Sequence, residues 1–406
     1  MAGRSLAERL ATLRAERAPT VSPTPVADRA ETLARWFDAR LSRGPGGTVL
    51  LVERRVPLPP AVALTLGRLA RACYFDTETT GLSTGAGTVI FLAGLAWLEE
   101  EQIVVRQYLL PDYPHEAALL RRVTAELASA DRIVTYNGRA FDLPMLASRL
   151  TVHGLFEQQA ALPLLHDDLL PIARRLWRRR LGGARLGQVE SGILGVRRES
   201  DVGGSDVPGR YFDYLRGGSP QLLADVLDHN LQDVVSLALL EAEVLRLRAG
   251  AWRDATVLDP HGMAIDLLRL GAAADALELL EAGLAACGDP AEASALRRLA
   301  TRLLLAAGES GRAEELWRDG TRRASLDAAT AWIEVARIRE RHRDDLAGAL
   351  EAASAASRVL DIAFALGRGG SVQALGAVRL RVESRLRRLR RWVAASERRA
   401  ARKRVA

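Results

Sequence analysis

The chain has 406 residues, 48% of them hydrophobic and 26% charged, which suits a globular protein of more than one domain. It contains no run of about 18 apolar residues, so we predict no membrane span, and its first residues lack the apolar centre of a signal peptide. The only two cysteines, Cys73 and Cys287, argue against a disulfide framework and fit a reducing compartment. We therefore expect a cytoplasmic protein.

The positive charge is concentrated at the C-terminus. The formal net charge is +7, and residues 379–406 contain twelve Arg or Lys against two Glu, a difference of +10, which leaves about −3 for the rest of the chain. Residues 396–406 form the basic tail of this segment. Two interpretations are open: the tail binds the phosphate backbone of nucleic acid, or it is the solvated end of a helix.

Residues 1–70 are predicted to form an N-terminal helical extension and linker. A helical pattern over 4–17 is followed by the stretch 19–28, which is rich in proline and threonine. A second helical pattern over 28–42 then leads to a β-like segment at 47–58.

Residues 71–246 predict an α/β domain with a mixed central sheet flanked by helices. RACYFD reads as a strand, and TVIFLAGLAWL and IVVRQYLL read as a hairpin around the polar turn EEEQ. A helix over 115–129, a strand over 131–137 and a helix beginning in AFDLPML follow. The stretch 225–240 reads as an amphipathic helix.

The sequence over residues 247–395 shows no strand pattern. It predicts an all-α domain of tetratricopeptide-like helical hairpins. Three segments resemble one another: 271–283, 310–320 and 343–354. A small residue recurs in them after 37 residues and again after 34 or 36, at Ala276, Ala313 and then Ala347 or Ala349. Such an array is typical of a docking surface for a protein partner or of a brace for the preceding domain.

Two acidic residues follow the apolar start of the strand CYFD. Asp76 and Glu78 are two residues apart, so in an extended segment their side chains share one face. Like charges at that distance repel, and a divalent cation with hard oxygen ligands is a natural partner for both. The other interpretation is an ordinary turn at the end of a strand.

Two further stretches add acids. Asp142 starts a helix after the strand that ends at Asn137, where it also suits the helix dipole. His229 and Asp233 lie one helical turn apart on one face, a spacing that a simple surface pair also adopts. The four carboxylates together suffice for two Mg²⁺ or Mn²⁺ ions about 3.5 to 4 Å apart, the arrangement that hydrolyses phosphodiesters.

In this order the stretches resemble the three exonuclease motifs of the DEDD superfamily of 3′–5′ exonucleases, whose fold is RNase H-like. The matching stretches are Asp76-x-Glu78 followed by TTGL, Asn137-x-x-x-Phe141-Asp142, and His229-x-x-x-Asp233. The chain is more similar still to the bacterial YprB-like branch, through 168–190, 206–218 and 229–237. That branch often carries helical repeats behind its nuclease domain. The resemblance covers roughly residues 70–245.

The resemblance implies a metal-dependent 3′–5′ exonuclease that hydrolyses phosphodiester bonds at single-stranded 3′ ends of DNA or RNA and releases 5′-monophosphates. Two divalent cations, Mg²⁺ or Mn²⁺, would be held by Asp76, Glu78, Asp142 and Asp233. His229 would act on the attacking water, a role that histidine often has in acid–base catalysis. The residues expected to face the terminal nucleotide or support the site are Thr79, Thr80, Gly81, Leu82, Asn137 and Phe141.

One spacing departs from the superfamily. His229 lies four positions before Asp233, where one subclass has a tyrosine, while the subclass with a histidine places it five positions before. Two other functions remain compatible with the sequence: a catalytically inactive adaptor that binds nucleic acid or protein through the RNase H-like fold and the repeats, and a structure-specific endonuclease. The complete set of four acids favours an enzyme.

Three other features have two interpretations each. Asp168 either caps a helix that begins at His166 or takes part in catalysis. Tyr211, Phe212 and Tyr214 either pack under a loop or stack on bases. The arginine run 174–180 either follows a phosphate backbone or reflects the high arginine content of the chain.

Overall fold

The computed structural model describes residues 26–81, 87–198, 203–321, 325–367 and 371–405. The chain divides into two compact units, the first ending at Val257 and the second beginning at Leu258. The helix predicted over 4–17, most of the linker after it and Leu82 lie outside the described residues. No helix among the described residues is long and apolar enough to cross a bilayer.

The first unit is built on a mixed seven-stranded sheet, as the sequence predicts. Its strands are β1 (Arg40–Gly44), β2 (Gly47–Pro57), β3 (Ala72–Thr79), β4 (Ile90–Glu99), β5 (Gln102–Leu109), β6 (Arg132–Thr135) and β7 (Leu165–Asp168). They lie in the order β1-β2-β5-β4-β3-β6-β7. Pairing is antiparallel from β1 to β3 and parallel from β3 through β6 to β7. The carboxyl ends of β3, β6 and β7 therefore meet at one edge of the sheet.

Ten α-helices accompany the sheet in the described part of this unit. They are α1 (Val26–Phe37), α2 (Pro60–Leu66), α3 (Glu116–Ala128), α4 (Asp142–Val152), α5 (Phe156–Ala160), α6 (Leu170–Leu176), α7 (Arg178–Leu181), α8 (Leu186–Val189), α9 (Val207–Leu215) and α10 (Ala224–Arg248). A π-helical turn over Glu190–Leu194 follows α8 directly. The predicted segments 115–129 and 225–240 correspond to α3 and to part of α10.

The structure differs from the predicted elements at three places. The helix expected over 28–42 ends at Phe37, and β1 and β2 both join the sheet, which thus takes in part of the expected N-terminal extension. His166 to Asp168 belong to edge strand β7 rather than to the start of a helix. The expected domain boundary at 246 falls inside α10, and the compact unit continues to Val257.

Helix α10 crosses the sheet in close contact with β4. Asn230 is fully buried, and its Oδ1 accepts a hydrogen bond from Gln107 Nε2 on β5 at 3.0 Å. Gly94 of β4 lies directly beneath it: a Cβ on that residue would be 2.2 Å from Asn230 Oδ1. Three turns further along α10, Glu241 accepts hydrogen bonds from Tyr74 on β3 and from Arg132 on β6. These contacts fix both the depth and the direction of α10.

The second unit is helical throughout its described residues. It contains α11 (Pro260–Arg269), α12 (Ala273–Ala286), α13 (Pro290–Ala306), α14 (Ser310–Arg318), α15 (Leu326–His342), α16 (Leu346–Ala365) and α17 (Val372–Val405). Consecutive helices contact one another, and α11, α13, α15 and α17 also contact the next member of that series. This is the packing of stacked helical hairpins.

The alanine repeat corresponds to helix crossings. Ala276, Ala313 and Ala349 are each the fourth residue of a helix and each fully buried, whereas Ala347 is exposed. The structural repeat is thus 37 and then 36 residues, and Ala349 is the equivalent of the first two alanines. The tetratricopeptide-like character of the array stays a prediction. The basic tail continues α17, which is helical through Val405.

Replacing Gly94 with alanine tests the contact between α10 and the sheet. The new Cβ would overlap Asn230, so the helix must shift or Asn230 must lose its hydrogen bonds. We expect the free energy of unfolding to fall by about 1–3 kcal/mol, measured by urea denaturation.

Gly209→Ala, in α9, is the matched control. A Cβ on Gly209 meets no atom within 4 Å, so this variant should be neutral or more stable by up to about 1 kcal/mol. Equal unfolding free energies for Gly94→Ala and the unaltered protein would contradict the close approach.

Candidate active site

Four acidic residues from three separate elements converge at the carboxyl end of β3. Asp76 and Glu78 come from β3, where burial alternates along the strand, Asp142 is the first residue of α4, and Asp233 lies on α10. The charges of Asp142 and Asp233 act on both β3 acids. The structure thus brings together the four carboxylates that the sequence singles out.

Asp142 is held by the strand between the two β3 acids. Its Oδ1 accepts hydrogen bonds from the Thr77 backbone N–H at 3.1 Å and from the Thr77 hydroxyl at 2.6 Å. Asp142 is almost fully buried, and burial raises the pKa of its carboxyl to about 6 even though the Thr77 hydrogen bonds oppose the shift. Thr77 therefore sets the orientation of Asp142.

Asp76 is held by Asn230 of α10. Asn230 Nδ2 donates to Asp76 Oδ2 at 2.9 Å, while the same side chain accepts from Gln107. Burial raises the pKa of Asp76 well above its usual value, and repulsion by Asp233, Asp142 and Glu78 raises it further. Burial and the charges of Asp233 and Asp142 raise the pKa of Glu78 in the same way. Both β3 acids are therefore harder to ionise than free carboxylates.

Basic side chains approach Asp233 from two sides. His229 Nε2 lies 3.5 Å from Asp233 Oδ2 and 3.9 Å from Glu78 Oε1. Arg198 donates to Asp233 Oδ1 through Nη2, and its Nη1 lies 2.8 Å from His229 Nδ1. Burial raises the pKa of Asp233, and His229 and Arg198 counteract part of that shift. His229 thus faces two acids even with the four-residue spacing.

Arg198 and Glu190 form a pair that the sequence analysis did not identify. Glu190 is almost fully buried and accepts from Arg198 Nε at 2.7 Å and Nη2 at 3.0 Å. Ser236 of α10 donates to Glu190 Oε1 at 2.7 Å. Neither residue belongs to one of the three motifs, and Arg198 is one of many arginines in the chain. Asn230 left a clearer signal, because it is a polar residue on the buried side of an amphipathic helix.

Two of the residues predicted to face the terminal nucleotide, Thr79 and Thr80, form hydrogen bonds at the turn after β3. The Thr79 hydroxyl donates to the Gly81 carbonyl at 2.7 Å, and the Thr80 hydroxyl accepts from the Val89 N–H at 2.9 Å. Both hydroxyls thus stabilise the turn after β3, and the register to β4 shifts just before that turn, between Glu78 and Thr79. Leu82 lies outside the described residues.

Asn137 and Phe141 support the loop between β6 and α4. Asn137 has a positive φ of 68°, and its backbone N–H donates to Asp168 Oδ1 at 2.8 Å. Asp168 also accepts from the N–H groups of Arg139 and Leu170. Phe141 is partly buried against the core of the unit. Asp168 therefore accepts from the first N–H of α6, although that helix begins at Leu170 and not at His166, and it also fixes the loop that delivers Asp142.

The structure also bears on the aromatic residues near Tyr211 and on the arginine run 174–180. Tyr211 is fully buried, stacks on Phe91 with centroids 4.1 Å apart and donates to the Leu110 carbonyl, and Tyr214 is also buried, so these two rings pack in the core. The arginine run 174–180 does not form one continuous helix face, because α6 ends at Leu176 and α7 begins at Arg178.

The donor set suits a hard divalent cation. Its members are carboxylates, and burial raises the pKa of Asp142 while burial and mutual repulsion raise those of Asp76 and Glu78. Added positive charge would stabilise the ionised form of each of these acids. As they stand, no three His, Cys, Asp or Glu side chains in the described parts of the chain are grouped to hold one ion. In this arrangement the basic side chains beside Asp233 are those of Arg198 and His229.

A protein-family model matches the part of the chain that contains this site. Residues 73–245 match the RNase_H superfamily. Over 168 residues the chain is 44% identical to the uncharacterized protein YprB of Bacillus subtilis (strain 168), which covers 41% of this chain and 40% of that protein. The chain thus spans well under half the length of this curated relative. The family match over residues 73–245 contains all four acids, His229 and the Arg198–Glu190 pair.

A similarity to one solved structure is weaker. The family B DNA polymerase from the hyperthermophilic archaeon Pyrobaculum calidifontis is 15% identical, with a TM-score of 0.35 over 50% of this chain and 30% of the polymerase. A superposition of this quality supports no conclusion about fold or activity.

The raised pKa of Asp142 predicts that the metal-free protein loses stability as the pH rises. The folded protein holds the proton more tightly, with a pKa of about 6 against a usual value of 3.8. The stabilisation is complete below the lower value and is lost as the pH rises through the higher one, a change of about 3 kcal/mol. Asp142→Asn keeps an oxygen acceptor for Thr77 and should flatten this dependence.

Thermal unfolding in EDTA between pH 4 and 7 measures the effect. Asp228→Asn, an exposed acid on the same helix as Asp233, is the control and should keep the slope of the unaltered protein. An Asp142→Asn variant that loses stability with pH as steeply as the unaltered protein would refute this role for Asp142.

Proposed function

We propose that the protein is a metal-dependent 3′–5′ exonuclease that hydrolyses the terminal phosphodiester bond of single-stranded DNA or RNA. The observation that carries the proposal is the convergence of Asp76, Glu78, Asp142 and Asp233 in one pocket, where Asp142 is buried and the other three are partly buried. Hydrogen bonds from Asn230 and Thr77 hold Asp76 and Asp142 there, and a bound cation would relieve the repulsion among the acids. The RNase_H superfamily match over the same residues and the ordered motifs support a nuclease.

The four acids would hold two divalent cations, Mg²⁺ or Mn²⁺. When bound, the cations would activate a water and stabilise the oxygen that leaves the phosphorus. Asn230 and Thr77 keep Asp76 and Asp142 oriented, which is the role that outer hydrogen bonds play around metal ligands.

His229 is the proposed group for the attacking water. Its ring lies between Glu78 and Asp233, close enough to both to position a water among them. The water oxygen forms the new bond to phosphorus, and the bond to the 3′ oxygen of the penultimate nucleotide breaks. The products are a nucleoside 5′-monophosphate and a chain shortened by one residue with a 3′ hydroxyl.

A degradation assay tests the proposal. Single-stranded DNA and RNA labelled at the 5′ end are incubated with Mn²⁺ or Mg²⁺, and we expect a ladder that shortens from the 3′ end. Asp76→Asn should reduce the rate by about 100-fold or more, because even outer-shell changes cost about 10–100-fold. Asp228→Asn, an exposed acid paired with Arg54, should leave it unchanged.

The products separate the alternatives. Internal cuts at a branched or looped substrate would instead identify a structure-specific endonuclease. Intact substrate that still shifts in a gel would identify an inactive adaptor and would refute the exonuclease. A comparison of the DNA and RNA ladders then identifies the preferred sugar.

The exposed face of α17 supports a nucleic-acid substrate. Val382, Leu386 and Leu389 are buried, while Arg387, Arg391 and Arg398 are exposed on a different face of the helix, spanning about 16 Å. Other arginines of α17 have structural partners: Arg385 and Arg388 both bind Glu340. No ion-pair partner of the three exposed arginines lies among the described residues.

Replacing Arg387, Arg391 and Arg398 with glutamine should weaken binding of single-stranded nucleic acid. Three lost phosphate contacts should lower the slope of log K against log[salt] by about 2. Fluorescence anisotropy in EDTA at several salt concentrations measures binding apart from cleavage.

A charge-matched triple variant provides the control. Arg40, Arg55 and Arg312 are exposed and already paired with acids, so their replacement removes the same charge from elsewhere. A salt slope that falls equally in both triple variants would contradict a specific role for α17.

A further inference from the structure

A guanidinium lies where the proposed function needs a metal cation. Arg198 Nη2 donates to Asp233 Oδ1, and Arg198 Nη1 lies within hydrogen-bond distance of His229 Nδ1. His229 in turn lies between Asp233 and Glu78. The two basic side chains therefore contact the α10 acid that is expected to share a cation with the acids of β3.

The guanidinium is anchored from the opposite side. Glu190 binds Arg198 through two hydrogen bonds of 2.7 and 3.0 Å, and Ser236 holds Glu190 from α10. Glu190 is almost fully buried, so this pair is strong and well ordered. The bond to Glu190 does not depend on Asp233, and it can persist when the contact to Asp233 is broken.

A cation and Arg198 cannot use the same oxygen of Asp233. Both are positive, and at contact distance in a buried pocket their repulsion is large. The arrangement of the acids agrees with this competition, because within the described residues no three of them are grouped to hold one ion. The four carboxylates are suitable ligands for a cation, but one of them, Asp233, is hydrogen-bonded to the guanidinium of Arg198.

We propose that Arg198 is an exchangeable counter-charge of Asp233, which a divalent cation must displace before the site becomes active. The inference rests on the proposed function. Arg198 neutralises Asp233 while no cation is bound, and it stays attached to Glu190 after the exchange. It is a positioning residue that opposes metal binding.

Calorimetric titration of the full chain with Mn²⁺ alone, without nucleic acid, tests the proposal. The variant is the double substitution Arg198→Met with Glu190→Gln, because Arg198→Met alone would leave Glu190 buried without its partner. The double variant removes one charge of each sign, so the net charge of the chain is unchanged. We expect Mn²⁺ to bind about tenfold tighter or more, since no charged hydrogen bond has to be broken.

The control removes an ion pair that joins Arg54 of β2 to Asp228 of α10. Arg54 binds Asp228 at 2.7 Å, with Arg54 half-buried and Asp228 exposed, so Arg54→Met with Asp228→Asn should keep the Mn²⁺ affinity of the unaltered protein. Circular dichroism with EDTA verifies that both double variants are folded.

Each result has one meaning. Tighter Mn²⁺ binding by the Arg198 variant and not by the control supports the exchange. Unchanged or weaker binding by a folded Arg198 variant overturns it, and the exonuclease proposal stands if the unaltered protein degrades nucleic acid. Failure of every form to bind Mn²⁺ overturns the exchange and the metal requirement of the proposed function together.

Discussion

The contact between Asn230 and the sheet is the constraint on which the site depends. One amide side chain joins α10 to β5 through Gln107 and to β3 through Asp76. It fits only because Gly94 leaves the space beneath it empty. Asn230 lies between His229 and Asp233 on the same helix, so the contact that fixes the helix also sets the position of the third motif.

The acids themselves work against the fold. Like charges buried together destabilise a protein, and the raised pKa values of Asp76 and Glu78 express that cost. Contacts elsewhere on α10 offset it. Glu241, three turns from Asn230, binds Tyr74 and the guanidinium of Arg132 in a nearly dry environment. The helix is thus fastened at two points, and the repelling acid lies between them.

Much of this arrangement could be predicted from the sequence, because its signals are local. Apolar periodicity indicated β3, β4, β5 and the long helix α10. The motif order indicated the four acids. Strand β7 gave no such signal, since it has only four residues and two of them are aspartates. The place of β1 and β2 in the sheet depends on pairing with a strand about 50 residues away, which no local pattern encodes.

The partners of the acids were harder to predict for another reason. Thr77 lies inside the first motif, but its bond to Asp142 spans 65 residues. Arg198 and Glu190 belong to the family match, yet only the folded chain shows that they meet Asp233. In a chain whose basic residues are almost all arginine, one functional arginine has no distinctive appearance.

The short strand β7 also bears on how copies of the protein behave in concentrated solution. An edge strand exposes unpaired backbone groups, and a long, apolar one invites another chain to extend the sheet. Here the edge is four residues long, and Asp167 and Asp168 make up half of it. Asp168 also directs its side chain to the neighbouring loop and helix. The geometry that delivers Asp142 to the pocket thereby leaves an edge poorly suited to aggregation through strand addition.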